Sequence, residues 1–169
     1  MSIRPSRPLQ TSLSADLWAA IADGAAAESP LWGEALRPDP EREPVFSPLL
    51  ADARYALGLE TIYEGYLLHY GRPRLFAPAD GHTGLLLGDY LYAHGLVRVA
   101  EHHEVEAVAD LAALISLCAQ LRADGGAGDG EAWAATAAWL GQAPLASGRT
   151  AGDGEAVERA LALHRARVS

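Results

Sequence analysis

The chain has 169 residues, 50% of them hydrophobic and 21% charged, which is enough length and apolar content for one packed domain. Thirteen basic residues, every one an arginine, stand against 22 acidic residues for a formal net charge of −9. That balance lacks the clustered positive field a phosphate backbone requires and excludes nucleic acid as the expected partner.

The predicted elements are almost all helical. Thr11 or Ser14 can cap a first helix through ADLWAAIADGAAA, where Leu17, Trp18 and Ile21 fall at helical spacing. The segment from Ser29 to Pro48 is rich in proline, so it reads as a short helical turn and then a linker. Ser47 followed by Pro48 is a helix-start signal. It predicts a long helix through Leu57, Glu60, Glu64 and Leu67, ended by Gly71 and Pro73. Further helices are expected from about Thr83 to Ala100 and from Glu104 to Ala123. The run DGGAGDG then makes a break. EAWAATAAWL, anchored by Trp133 and Trp139, and EAVERALALHRARV complete the list. No β-alternation of useful length occurs, so the fold class is an all-α helical bundle. Its expected division is an N-terminal helix and Pro-rich linker over 1–46 and a helical bundle over 47–169.

No run is long and apolar enough to span a bilayer, because Asp89, His94 and Arg98 interrupt the longest one. Arg4 and Arg7 precede an apolar stretch broken by Asp16 and Asp23, a pattern a signal peptide does not show, and a cytoplasmic location is expected. The lone Cys118 excludes an internal disulfide and a cysteine-built zinc site; within LAALISLCAQL it reads as a small buried hydrophobe.

The two central helices carry the chemistry-bearing residues. Tyr63, Tyr66 and Tyr70 share one face, and Glu60 lies one turn from Glu64. Paired carboxylates serve acid–base work or a metal, but without further ligands a solvated or arginine-paired face is expected. On the next helix Gly84, Gly88 and Gly95 lie on one side, each at a helix-propensity cost of about 1 kcal/mol against alanine, and close approach of a neighbouring backbone is the favoured reason, ahead of space for a thin apolar ligand. Asp89 interrupts the apolar LLLGDYLYAHG and is expected to make a structural hydrogen bond to a tyrosine, an arginine or a helix end. His69 and His94 are expected to make core or interface hydrogen bonds. EHHE, from Glu101 to Glu104, sits at a helix junction where solvated charge is expected, with zinc the less favoured alternative.

The stretch GLETIYEGYLLHYGRPRLF…GLLLGDYLYAHGLVRVAE…VADLAALISLCAQL, roughly residues 50–124, resembles the front half of all-trans polyprenyl diphosphate synthases. YLLH at Tyr66–His69 and LLLGDYL at Leu85–Leu91 stand in the order of that family's motifs. The aspartate-rich motif between them does not survive: Tyr70 and Gly71 occupy the first aspartate positions, and Arg74 stands near the third. Without carboxylates to hold magnesium against a diphosphate, ionisation of an allylic substrate lacks electrostatic support.

The resemblance therefore implies a degenerate, non-catalytic chain with part of the isoprenoid synthase fold, most similar to the small subunit of a two-component synthase of the heptaprenyl type. It implies no cofactor or metal on this chain, magnesium on a catalytic partner subunit, and a role in completing the dimer and setting chain length. Self-association and a bound prenyl chain are the other partner expectations. Tyr63, Tyr66, Leu67, Tyr70, Gly88 and Tyr92 are the candidates for the chain-length or interface surface. Arg72 and Arg74 are the candidates for diphosphate contact, weighed evenly against a polar helix terminus. The alternatives are a free-standing ligand-binding or scaffold protein, and a small metal-dependent enzyme using Glu60, Glu64, His69 and Asp89.

Overall fold

The computed structural model describes residues 9–142 and 154–168. Among these the chain forms seven α-helices and no strand, the all-α fold expected. They are α1 (Leu9–Glu28), α2 (Pro30–Glu34), α3 (Ala56–Tyr70), α4 (Gly81–Ala100), α5 (Val105–Ala123), α6 (Asp129–Trp139) and α7 (Gly154–Val168).

Two boundaries differ from the sequence reading. α1 starts ahead of Thr11 and Ser14, so neither is its cap. The long helix expected from Ser47 is instead two 3-10 turns, Ser47–Leu49 and Ala53–Tyr55, followed by α3. Leu50 is extended at φ −61° and ψ 131°. Asp52 is extended too, and its carboxylate accepts the N–H of Arg54 at 3.0 Å. A side chain that bonds its own neighbouring backbone competes with the helix, and here it wins.

The Pro-rich segment is built into the molecule. Ser29 caps α2 by accepting the N–H of Leu31 at 3.2 Å, with Pro30 at the first helical position. Beyond α2 the chain runs beside residues 74–77 through an isolated antiparallel bridge between Leu36 and Phe76. Arg37 N–H donates to Leu75 O, Ala77 N–H to Ala35 O and Glu41 N–H to Arg74 O at 2.7–3.0 Å. Val45 and Phe46 then enter the core.

α3 and α4 form the central antiparallel pair. Gly58 faces Gly95 and Gly65 faces Gly88; a Cβ on Gly58 would stand 3.1 Å from Gly95 O, and one on Gly65 would stand 2.9 Å from Gly88 O. This is the close backbone approach that the glycines of α4 suggested, while Gly84 packs on Pro78. With α4 on one side and α5, α6 and α7 on the other, every residue of α3 from Gly58 to Leu67 is buried. One core cluster gathers Phe46, Tyr63, Tyr66, Leu111, Cys118 and Trp133, and a second, under α1 and α2, gathers Trp18, Ile21, Phe76, Leu87 and Leu91. A helix buried all round must satisfy each of its polar side chains internally, and that requirement builds the candidate site.

Candidate functional site

Two polar constellations line α3. In the first, Glu60, Glu64 and Arg74 are all fully buried. Arg74 Nη1 donates to Glu60 Oε2 at 2.7 Å and its Nε to Glu64 Oε2 at 2.9 Å. Two further N–H groups of the guanidinium, on Nη1 and Nη2, donate to Glu43 O and Glu60 O. The other carboxylate oxygens accept backbone N–H groups, Ser47 onto Glu60, and Arg74 and Leu75 onto Glu64. The guanidinium also lies 4.7 Å from the Trp18 ring and 5.0 Å from the Tyr63 ring. Burial alone would lower the Arg74 pKa, but Glu60 and Glu64 outweigh it and raise it.

The second constellation joins α3, α5, α6 and α7. Gly128, in the left-handed region at φ 108°, turns the chain so that Asp129 opens α6. Asp129 accepts hydrogen bonds from the Tyr66 hydroxyl, from Arg122 Nη2 at 2.6 Å and from His164 Nε2 at 3.3 Å. Arg122 donates to the Tyr66 oxygen as well, through Nε at 3.0 Å and Nη2 at 2.8 Å. Tyr63 OH lies 2.9 Å from His164 Nδ1. Burial pushes the Asp129 carboxyl up, yet the hydrogen bonds from Tyr66 and Arg122 outweigh it and hold it below its usual range. Burial likewise holds His164 below its ordinary 6.5.

A neutral imidazole beside an ionised carboxylate has one arrangement open to it: Nε2–H donates to Asp129, and Nδ1 accepts the Tyr63 proton. Burial raises both phenols, so neither is an activated nucleophile. The array closes a side-chain circuit across four helices. It borders a cleft of about 410 Å3 lined by Gly128, Asp129, Gly130, Leu161, His164 and Arg165.

The expected site residues do not converge on one centre. Tyr63, Tyr66 and Tyr70 do share a face, with ring centroids 5.8 Å apart for the first pair and 5.2 Å for the second. Tyr63, Tyr66 and Leu67 are fully buried, with the two tyrosine rings against Trp133 and His164. That face is filled core rather than an open channel or surface. Gly88 is buried under the His69 ring, and Tyr92 stacks on His69 at 5.1 Å.

Asp89 is not an interior charge, as its side chain is 71% exposed. Its Oδ1 stands 3.2 Å from His69 Nε2, outside hydrogen-bonding alignment, so its neighbour is a histidine rather than a tyrosine, arginine or helix end. His94 stacks on Tyr90 at 5.3 Å, and burial holds its pKa low.

The diphosphate reading of Arg74 is overturned by its burial between two carboxylates. Arg72 is exposed and holds the end of α7, its Nη2 donating to Ala166 O at 2.7 Å. The solvated face expected for Glu60 and Glu64 is in fact interior, and the arginine pairing is internal. Because Arg74 occupies the space between these carboxylates, Glu60, Glu64, His69 and Asp89 do not form a metal site. Among the described residues no three His, Cys, Asp or Glu side chains are grouped to hold an ion. At EHHE, His103 takes the left-handed conformation at φ 60° and His102 packs edge-on against Tyr55. Cys118 is buried, and burial pushes its thiol up to about 12. Trp139 is 39% exposed and does not anchor α6 as Trp133 does.

Sequence reasoning passed over Arg122, Asp129 and His164. Asp129 sat in a stretch read only as a glycine-rich break, although an acid in a helix's first turn was a usable signal. His164 lies among Ala160, Leu161 and Arg167, all buried. A histidine at the centre of an inward-facing stripe marks a buried polar partner. No family model, no curated protein and no solved structure matches this chain.

Proposed function

We propose that this chain is a non-catalytic helical partner subunit, and that its partner is the catalytic subunit of a two-component polyprenyl diphosphate synthase. One observation carries the non-catalytic half of the reading. The two carboxylates of α3 share one resident guanidinium, Arg74, which donates 2.7 and 2.9 Å hydrogen bonds to them. Held by that buried cation and by the backbone N–H groups of Ser47, Arg74 and Leu75, neither carboxylate is open to magnesium, the ion a diphosphate leaving group requires. The partner half rests on the resemblance over roughly residues 50–124. Magnesium and both diphosphate substrates then belong to the catalytic subunit, and this chain acts on product length by completing the assembly.

The test mixes the purified chain with a full-length polyprenyl synthase from the same genome. Co-elution and a shift in product length support the reading, together with no prenyl transfer by the isolated chain in magnesium, isopentenyl diphosphate and an allylic primer. Turnover by the chain alone overturns the non-catalytic assignment. Separate elution with unchanged products overturns the partner.

A further inference from the structure

α5 and α6 leave an apolar trough between them. Asp110, Ala113 and Leu117 on α5 and Ala135, Thr136 and Trp139 on α6 line a groove of about 740 Å3. Leu117 is 48% and Trp139 39% exposed, so two large apolar side chains of one groove stand in water. The outward positions of α5 beside them, Ala109, Ala112, Ser116 and Ala119, are exposed and small. A second helix can therefore approach closely, since interaxial distance follows side-chain size at the contact.

Asp110 lines this trough, and Glu106 and Glu131 stand one helical turn from its lining residues Asp110 and Ala135. Glu131 also borders the α6–α7 cleft with Arg165. Glu106 and Asp110 on α5, Asp124 in the turn and Glu131 on α6 are all exposed. The one base on these two helices, Arg122, is turned inward onto Tyr66 and Asp129. Among the described residues no arginine forms an ion pair with any of the four acids. An apolar floor with an acidic rim complements a helix that has an apolar stripe flanked by lysine or arginine. It opposes a second copy of itself, because two such faces would bring acids against acids.

We infer that the α5–α6 groove is the docking face for a cationic amphipathic helix of a partner protein. The inference rests on the partner-subunit reading and supplies its surface and its chemistry. The first probe is an 18-residue leucine–lysine amphipathic helix, with a leucine–glutamate helix of the same stripe as its control. The cationic peptide is expected to shift amide resonances of α5 and α6 and the Trp139 emission, and the acidic peptide to do neither. Asp110→Asn with Glu131→Gln, and separately Leu117→Ser, should weaken the cationic peptide about tenfold, with the charge variant flattening the salt dependence. Leu86→Ser, at an exposed leucine of α4, should leave binding unchanged.

Resonance shifts centred outside α5 and α6 overturn the assignment. So does self-dimerisation of the chain that Leu117→Glu abolishes. The second arm repeats the synthase co-elution with Leu117→Glu. Intact co-elution by this variant sinks the groove and leaves the partner-subunit reading standing. Docking of the cationic peptide without any synthase association sinks the synthase as partner and leaves the groove standing.

Discussion

Arg74 carries its charge into a site closed to water, where four of its five guanidinium N–H groups end on oxygens of Glu43, Glu60 or Glu64. Removing one member of a buried ion set is far costlier than replacing the set, because it strands uncompensated charge. Arg74→Met should therefore lower urea-unfolding stability by about 3–5 kcal/mol. Combining it with Glu60→Gln and Glu64→Gln should restore part of that loss. A loss below about 1 kcal/mol for Arg74→Met would mean that the carboxylates reach water. His164 makes a different statement at the same scale. Its folded pKa lies below 6.5, so the unfolded chain binds the proton first as pH falls. Its contribution is complete above pH 6.5 and is lost as pH drops toward the folded value. Asp129, lowered below 3.8, adds a second loss at more acid pH. The urea midpoint should decline from pH 7.5 to pH 5, and His164→Gln should reduce the slope near neutrality, leaving the part that His94, also held low by burial, contributes. An unchanged slope in that variant would reassign the proton elsewhere.

At the scale of elements, the α3–α4 pair shows what patterning reveals and where it stops. The glycines of α4 were legible as a close approach, favoured over room for a thin apolar ligand, and Gly88 and Gly95 make it while Gly84 packs on Pro78. The start of α3 was not legible, because Ser47-Pro48 serves a 3-10 turn as well as it serves an α-helix, and Asp52 diverts the backbone a few residues later. The pairing predicts unequal outcomes for one chemical change. Gly95→Ala would place a methyl 2.9 Å from Gly58 O and 2.4 Å from Ile62 Cγ1. Backbone cannot step aside there, so the strain should exceed the propensity gain and cost about 1–3 kcal/mol. Gly81→Ala meets nothing within 4 Å and should be neutral or stabilising by up to about 1 kcal/mol. Equal thermal shifts for the two variants would mean that the helices are not packed backbone to backbone.

At the scale of the whole molecule, the candidate site escaped the sequence because its members are scattered along the chain. Tyr63, Arg122, Asp129 and His164 lie on four helices, and only packing brings them within 3.3 Å of a partner. Periodicity finds faces; it does not find which faces meet. α7 is where this matters most. It inserts His164 against Phe46, Tyr63 and Tyr66 at centroid distances of 5.6–5.9 Å. Its far end is tied through Arg167 to Glu41 at 2.9 Å and through Arg72 to the carbonyls of Ala166 and Arg167. Without α7, an aromatic wall built for an interior would face water, and Asp129 would lose a neighbour. A chain ending at Gln142 should therefore keep much of its helical circular dichroism while losing its sharp thermal transition and binding a hydrophobic dye, the behaviour of a compact state without fixed packing. The peptide 154–168 added in trans should reverse the dye binding, and the same peptide with His164→Ala should do so less well. A truncated chain that melts as cooperatively as the full one would mean that α7 is an appendage, and that the four-helix circuit is not what fixes the core.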